Sequence, residues 1–283
     1  MIFRQLFDYT SYTYTYLVAD RAGGEALIID PVREKVDRYI QLVEELDLKL
    51  VKAIDTHVHA DHITGLGALR DRTRCVPVMG AESGLDVVSM RVKDGEHVTA
   101  GGISLTAMYT PGHTDDSYSF LLDNMVFTGD TLFIRGTGRT DFQAGSSKAQ
   151  YDSLFNKLLK LPDDTLVYPG HDYKGDTVST IGEEKRFNPR LQVSSVEEYA
   201  QIMDNLNLDN PKMMDVAVPA NLKMGLSQDE LEAKGWSHTP KEARGLLGEA
   251  GVIFADLRDA EERDNHGILP GSVHAPYGTI DEN

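Results

Sequence analysis

A chain of 283 residues with 41% hydrophobic side chains can bury a substantial core, as one large domain or as a domain with an appendage. A formal net charge of -17 argues against nucleic acid or anionic membrane as partner, since both demand clustered Lys and Arg. Residues 1–8 lack the basic and apolar regions of a secretion leader, no apolar run could span a bilayer, and the single Cys75 cannot form an internal disulfide, so a cytoplasmic protein is expected.

Tyr12, Tyr14 and Tyr16 alternate with Thr13 and Thr15 ahead of Leu17-Val18, a period of two that predicts one strand rather than an aromatic binding box. A turn over 21–25 and a strand over 26–29 complete a hairpin. Asp30 is expected to cap a helix opened by Pro31, with Val32, Val36, Tyr39, Ile40, Val43 and Leu46 on the face that covers a sheet. An apolar strand-like run over 50–54, a helix over 64–70 and a short strand over 76–79 follow, and Cys75 reads as a buried strand residue rather than a nucleophile. Alternation over 103–108 and 117–122 predicts two more strands, and Asp123-Asn124 turns into a third over 125–127. A helix starting near Ser147 carries Tyr151, Leu154, Phe155, Leu158 and Leu159 on one face before a strand over 166–168. A single further helix over 194–206 gives way to a loop-like stretch. Two hairpin-rich sheets flanked by helices make an αββα sandwich of the α/β (α+β) class.

The chemistry concentrates where strands end. Thr56-His57-Val58-His59-Ala60-Asp61-His62 places three imidazoles and a carboxylate directly after an apolar strand-like run, and short alternate spacing lets such groups converge on one divalent metal. Three later segments each set one ligand-type residue beside Gly after a strand-like run: Pro111-Gly112-His113, Thr128-Gly129-Asp130 and Pro169-Gly170-His171. A lone histidine would read as an ordinary surface or core residue, but the ordered set points to a metal site.

His-x-His-x-Asp-His followed by His, Asp and His resembles the metallo-β-lactamase superfamily. Glyoxalase II hydrolases share this ligand set and use two metals to activate a bridging hydroxide, so a binuclear thioester hydrolase is one expectation. Several further motifs point elsewhere: Arg135-Gly136-Thr137-Gly138-Arg139-Thr140-Asp141-Phe142-Gln143, His171-Asp172-Tyr173, Asn188-Pro189-Arg190-Leu191 and Asp215-Val216-Ala217-Val218-Pro219-Ala220-Asn221. Together, to about Gly225, they resemble the persulfide dioxygenases, also called sulfur dioxygenases. The resemblance implies one Fe(II) per chain held by His57, His113 and Asp130, and no organic cofactor. His59, Asp61, His62 and His171 would surround the ion or line the pocket. Glutathione persulfide and O2 would be the substrates, sulfite and glutathione the products, and the enzyme a homodimer. The two carboxylates of glutathione call for cations and a phenol, for which Arg139, Tyr173, Lys174 and Arg190 are the candidates, Arg139 and Tyr173 lying nearest the chemistry. Arg139 equally suits a structural salt bridge with Asp141, and Tyr173 a phenol packed on the sheet.

Residues 252–262 and 266–272 resemble the opening of a rhodanese domain, with His266 and Gly267 in swapped order. The chain ends at Asn283, before the cysteine loop a sulfurtransferase needs. The expected division is therefore a catalytic domain over 1–244 and an incomplete rhodanese-like extension over 245–283 without catalytic power. A non-catalytic scaffold docking a sulfurtransferase (rhodanese) through that extension is the reading from another class, and the intact ligand set argues against it.

Overall fold

The period-two runs assemble into two six-stranded sheets. The computed structural model describes residues 1–85, 88–206, 208–209, 213–222, 245–246, 254–256 and 272–274. The first sheet follows chain order: β1 (Ile2–Phe7), β2 (Tyr14–Ala19), β3 (Glu25–Ile29), β4 (Lys49–Ile54), β5 (Val76–Gly80) and β6 (Met90–Val92). It is antiparallel from β1 to β3 and parallel from there on. The second comprises β7 (His97–Ala100), β8 (Ile103–Tyr109), β9 (Tyr118–Leu122), β10 (Met125–Gly129), β11 (Leu166–Pro169) and β12 (Ser179–Thr180), with only β10 and β11 parallel.

Alternate side chains of each strand enter different layers, the reason β2 is buried at all its positions. Tyr16, Val18, Leu27, Ile29 and Ile54 meet Leu105, Phe120, Phe127 and Tyr168 between the sheets. Leu17, Ile28 and Ala53 face outward onto Val36, Tyr39 and Val43 of α1 (Val36–Glu45) and Leu66 and Leu69 of α2 (Leu66–Thr73). On the far side Val126 and Val167 pack with Leu154, Leu158 and Leu159, which follow α3 (Ser147–Asp152) in continuing helical turns. Ile181 of α4 (Ile181–Phe187) and Tyr199 and Met203 of α5 (Val196–Asp204) complete that layer. The αββα sandwich is therefore the observed architecture.

Three local expectations are corrected. Asp30 does not cap α1, whose start has no side-chain cap; it sits at φ +50° with its carboxylate turned under the histidine loop. Tyr12 lies outside β2 at φ +63° because a tight turn after β1 intervenes, and its ring stands 5.3 Å from that of Tyr173. The stretch expected to be loop-like after α5 contains α6 (Met214–Asn221).

Packing divides the chain into Met1–Gly225 and Leu226–Asn283. Residue 244 at the expected boundary and nearly all of the rhodanese-like stretch lie outside the described residues, of which 245–246, 254–256 and 272–274 fall in the expected extension. In the second unit β13 (Ala255–Asp256) and β14 (Val273–His274) pair in parallel. Among the described residues no helix is long and apolar enough to cross a membrane.

Candidate metal centre

Each ligand-type residue follows the end of a strand, and the ends cluster at one edge of the sandwich. β4 ends at Ile54 and the histidine loop begins two residues later. That loop is fastened by side chains from elsewhere. Asp30 Oδ1 accepts the Thr56 N–H at 2.7 Å, Asp116 accepts that of Val58 at 3.0 Å, and the Gln143 amide donates to the Val58 carbonyl at 3.0 Å. The Asn221 amide donates to the carbonyls of His59 and His62, each at 2.9 Å, while its oxygen accepts the Thr64 N–H at 2.9 Å. Asp130 and His171 instead come directly off the parallel strands β10 and β11, where the Gly170 N–H donates to the Gly129 carbonyl at 2.7 Å. Both glycines are required by space. A Cβ on Gly170 would lie 2.6 Å from Asp130 Oδ1, and one on Gly129, at φ +48°, 2.6 Å from Thr56 Oγ1.

His57, His113 and Asp130 are buried and offer ligand atoms all within 4.8 Å of one another. His113 Nε2 is 3.6 Å from Asp130 Oδ2. His113 Nδ1 lies 2.8 Å from the Arg139 carbonyl, which can only accept, so Nδ1 carries a hydrogen and Nε2 is the nitrogen turned toward a metal. Burial and the neighbouring His59 hold His57 well below its ordinary range, in the neutral form a metal needs. For Asp130 burial works against ionisation, but the His171 charge and hydrogen bond outweigh it and keep the carboxylate ionised. Two imidazoles and one carboxylate fit a first-row divalent cation such as Fe(II), with positions left over for other ligands.

The remaining four predicted groups form the adjoining wall. His171 Nδ1 is 2.6 Å from Asp130 Oδ1 and its Nε2 2.8 Å from Asp61 Oδ2. Burial opposes protonation of that ring, but the two carboxylates raise it well above its usual range, so both nitrogens donate. His62 Nδ1 is 3.0 Å from Asp61 Oδ2, and Thr13 Oγ1 lies 3.2 to 3.3 Å from Asp61, His62 and His171. Burial lowers His59, but Asp30 at 3.2 Å more than offsets this and pushes it up to about 9. His59, Asp61 and His62 nonetheless offer ligand atoms within 4.8 Å of one another, and His59 Nδ1 and His62 Nε2 are buried without hydrogen-bond partners.

A cavity of about 760 Å³ opens above His113, Asp130 and His171. Arg139, Tyr173, Lys174 and Arg190 all line it. Arg139 is largely engaged: its guanidinium grips Asp141 through two 2.6 Å bonds, donates to the Asp209 carbonyl at 2.6 Å, and stacks over Phe142. Arg190 donates to the Thr137 carbonyl. The Tyr173 ring lies parallel to that of His171, and the residue is 65% exposed at the rim.

Sequence reasoning missed four residues. Asp30 follows a strand end as the ligands do, which was its signal, but Pro31 after it imitated a helix start. Asn221 closes the Asp215–Asn221 motif, where nothing in the local sequence marks it as a support for a loop 159 to 162 residues away. Tyr12 lines the cavity although its alternation with Tyr14 made it a strand residue. Glu184, fully buried on α4, accepts from the Arg135 N–H at 2.9 Å, pairs with the Arg135 guanidinium and receives the Asn188 amide at 2.9 Å. It thereby anchors the Arg135–Thr137 wall, and a charged residue in a short charged helix carries no such signal.

The Metallo-beta-lactamase superfamily pattern matches residues 9–86 and 83–171. The mitochondrial persulfide dioxygenase ETHE1 of Homo sapiens and that of Mus musculus are each 47% identical over 229 residues, 80% of this chain and 89% of theirs. The crystal structure of ETHE1 from Myxococcus xanthus superposes with a TM-score of 0.78 at 56% identity, covering 80% of this chain and all of that one. A metallo-beta-lactamase structure from Staphylococcus aureus matches 98% of this chain and 84% of its own with a TM-score of 0.74 at 26% identity.

Proposed function

Because the chain belongs to the metallo-beta-lactamase superfamily and, within it, to the persulfide dioxygenases, we propose that it oxidises glutathione persulfide with O2 to sulfite and glutathione. The observation that carries this reading is the convergence of His57, His113 and Asp130 beneath a cavity rimmed by tyrosines and cations. Those three residues would hold one Fe(II), which when bound supplies the redox chemistry between sulfur and dioxygen.

The chain's own residues supply the setting. His171, donating to both Asp130 and Asp61, fixes the Asp130 carboxylate so that its other oxygen faces His113. Phe133, Ile134 and Phe142 form an apolar wall that keeps water from the reacting sulfur. Lys174 and Arg190 offer positive charge to the glutathione carboxylates, and Tyr173 with Tyr12 presents a hydrogen-bonding aromatic rim. Arg139 acts chiefly by holding its own carbonyl against His113 Nδ1. A homodimer, a cytoplasmic location and docking of a sulfurtransferase by the C-terminal extension belong to the same reading, and sedimentation of the full chain with and without a rhodanese tests the first and last.

A second reading is favoured by one observation: the partnerless His59 Nδ1 and His62 Nε2 beside Asp61 suit a second cation and therefore a glyoxalase II-like thioester hydrolase. Against it, both nitrogens of His171 are occupied by carboxylates. Metal analysis of protein purified without oxygen, followed by oxygen uptake on adding glutathione persulfide, separates the two. One iron per chain with uptake is expected. Two zinc ions per chain with thioester hydrolysis and no uptake would overturn the dioxygenase reading. His113→Ala is expected to abolish iron retention while His59→Ala leaves much of it; equal loss from both contradicts the ligand assignment.

A further inference from the structure

The function proposed above makes no use of the Asp30 carboxylate, although it is buried and bonds Thr56 and His59 of the histidine loop. We propose that Asp30 is a positioning residue that selects, through Thr56, which nitrogen of His57 is left for the metal, while holding Nε2 of His59 to itself. The inference rests on reading His57 as a metal ligand.

Asp30 lies one residue beyond β3 in a left-handed turn, φ +50°, a conformation Asp tolerates better than most side chains. Its backbone is pinned on both sides: the N–H donates to the Ile54 carbonyl at 2.8 Å and the C=O accepts from Thr15 Oγ1 at 2.7 Å. The side chain, 1% exposed, lies under the histidine loop.

A carboxylate only accepts hydrogen bonds. Oδ1 takes the Thr56 N–H at 2.7 Å and Oδ2 takes the Thr56 hydroxyl at 3.0 Å. With its one hydrogen committed to Asp30, the Thr56 oxygen can only accept from His57 Nδ1, 3.0 Å away. The hydrogen of neutral His57 thus sits on Nδ1 and the lone pair on Nε2. His59 Nε2 lies 3.2 Å from Asp30 Oδ1 and must donate as well. One carboxylate so holds two imidazoles two residues apart, leaving Nε2 of His57 for a metal and binding Nε2 of His59 to itself. Gly129 leaves room for the hydroxyl, since a Cβ there would lie 2.6 Å from Thr56 Oγ1.

The test uses the full chain labelled with ¹⁵N-histidine and stripped of metal, in which two-bond ¹⁵N–¹H couplings report the tautomer of each ring. Fe(II) affinity is measured alongside by anaerobic competition with a chelator. In the wild-type protein His57 is expected as the Nδ1–H form, a measurement that needs no variant. Thr56→Val should mix the two tautomers and weaken Fe(II) binding by roughly 10- to 100-fold, the usual scale for losing such a support. Thr56→Ser should restore both, and Asp30→Asn, which suits the same backbone turn, should match Thr56→Val. A wild-type His57 carrying its hydrogen on Nε2 would overturn the proposal, as would a Thr56→Val protein that lost affinity with its His57 tautomer unchanged. Wild-type protein that bound no metal while His57 kept the Nδ1–H form would instead sink the metal-centre reading and leave the assignment of Asp30 standing.

Discussion

The two sheets contribute to the metal centre by different means. From the first sheet come His57, His59, Asp61 and His62, on a loop that leaves β4 and is tied down by the side chains of Asp30, Asp116, Gln143 and Asn221. From the second come Asp130 and His171, which step straight off β10 and β11 and are tied by backbone, Gly170 N–H to Gly129 C=O at 2.7 Å and Tyr14 N–H to Gly170 C=O at 2.8 Å. Side-chain ties can be cut one at a time, whereas backbone ties fail with the strands that carry them. Ligand geometry should therefore be separable from folding in the first region and inseparable in the second.

The sharpest attempt to break that contrast is Gly170→Ala. Its Cβ would meet Asp130 Oδ1, held in place by His171, at 2.6 Å and the Gly129 carbonyl carbon at 3.0 Å, so it can be accommodated only by displacing the Asp130 carboxylate. We expect about 1–3 kcal/mol of lost stability in urea unfolding together with lost metal, the usual cost of overfilling a packed site. Stable, folded protein that merely lacked metal would erase the distinction. Asn221→Ala comes next, because it strips three buried backbone groups of the loop of their partner at once. Metal affinity should fall roughly 10-fold with stability down about 1–2 kcal/mol. Hydrogen exchange should quicken at Thr64 while Gly170 keeps its protection, and equal loss of protection at both amides would tell against separate fastening.

The smallest effect sharpens the contrast by lying outside both sets of ties. Asp8 shapes the turn that carries Tyr12: its carboxylate accepts the Ser11 N–H and hydroxyl at 2.8 Å and lies 3.2 Å from Lys35. Burial raises this carboxyl, but the Ser11 and Lys35 contacts outweigh it and hold its pKa below the ordinary value. A lowered folded-state pKa means stability present above the unfolded value of about 3.8 and lost as pH falls through the folded one. Asp8→Asn should flatten that acid limb and cost no more than about 1 kcal/mol near neutrality, with metal content unchanged. A variant that lost metal would place the turn among the ties of the centre.

The same contrast explains what was legible in the chain. Strands that lead to a ligand-type residue announce themselves as short apolar or alternating runs followed by Gly or His, so the sandwich and the seven metal-type candidates were legible. Side-chain ties leave no such period. Asn221 acts across more than 150 residues of sequence on His59, and Asp30 carries the same Asp-Pro cue as a helix start. β1 is half-buried along nearly its whole length as the edge strand and does not alternate, and α4 is short and charged, marked only by the capping box of Thr180 and Glu183. Tyr12 could not be separated from Tyr14 by composition, because what distinguishes them is a positive φ set by the Asp8 turn.

The contact between Gly129 and Gly170 also bears on redesign. An engineer wishing this scaffold to accept another cation would have little freedom at the strand ends, where even one added methyl collides. The histidine loop is the part that can be rewritten, since its supports are separate side chains that can be exchanged in matched pairs with the residues they hold.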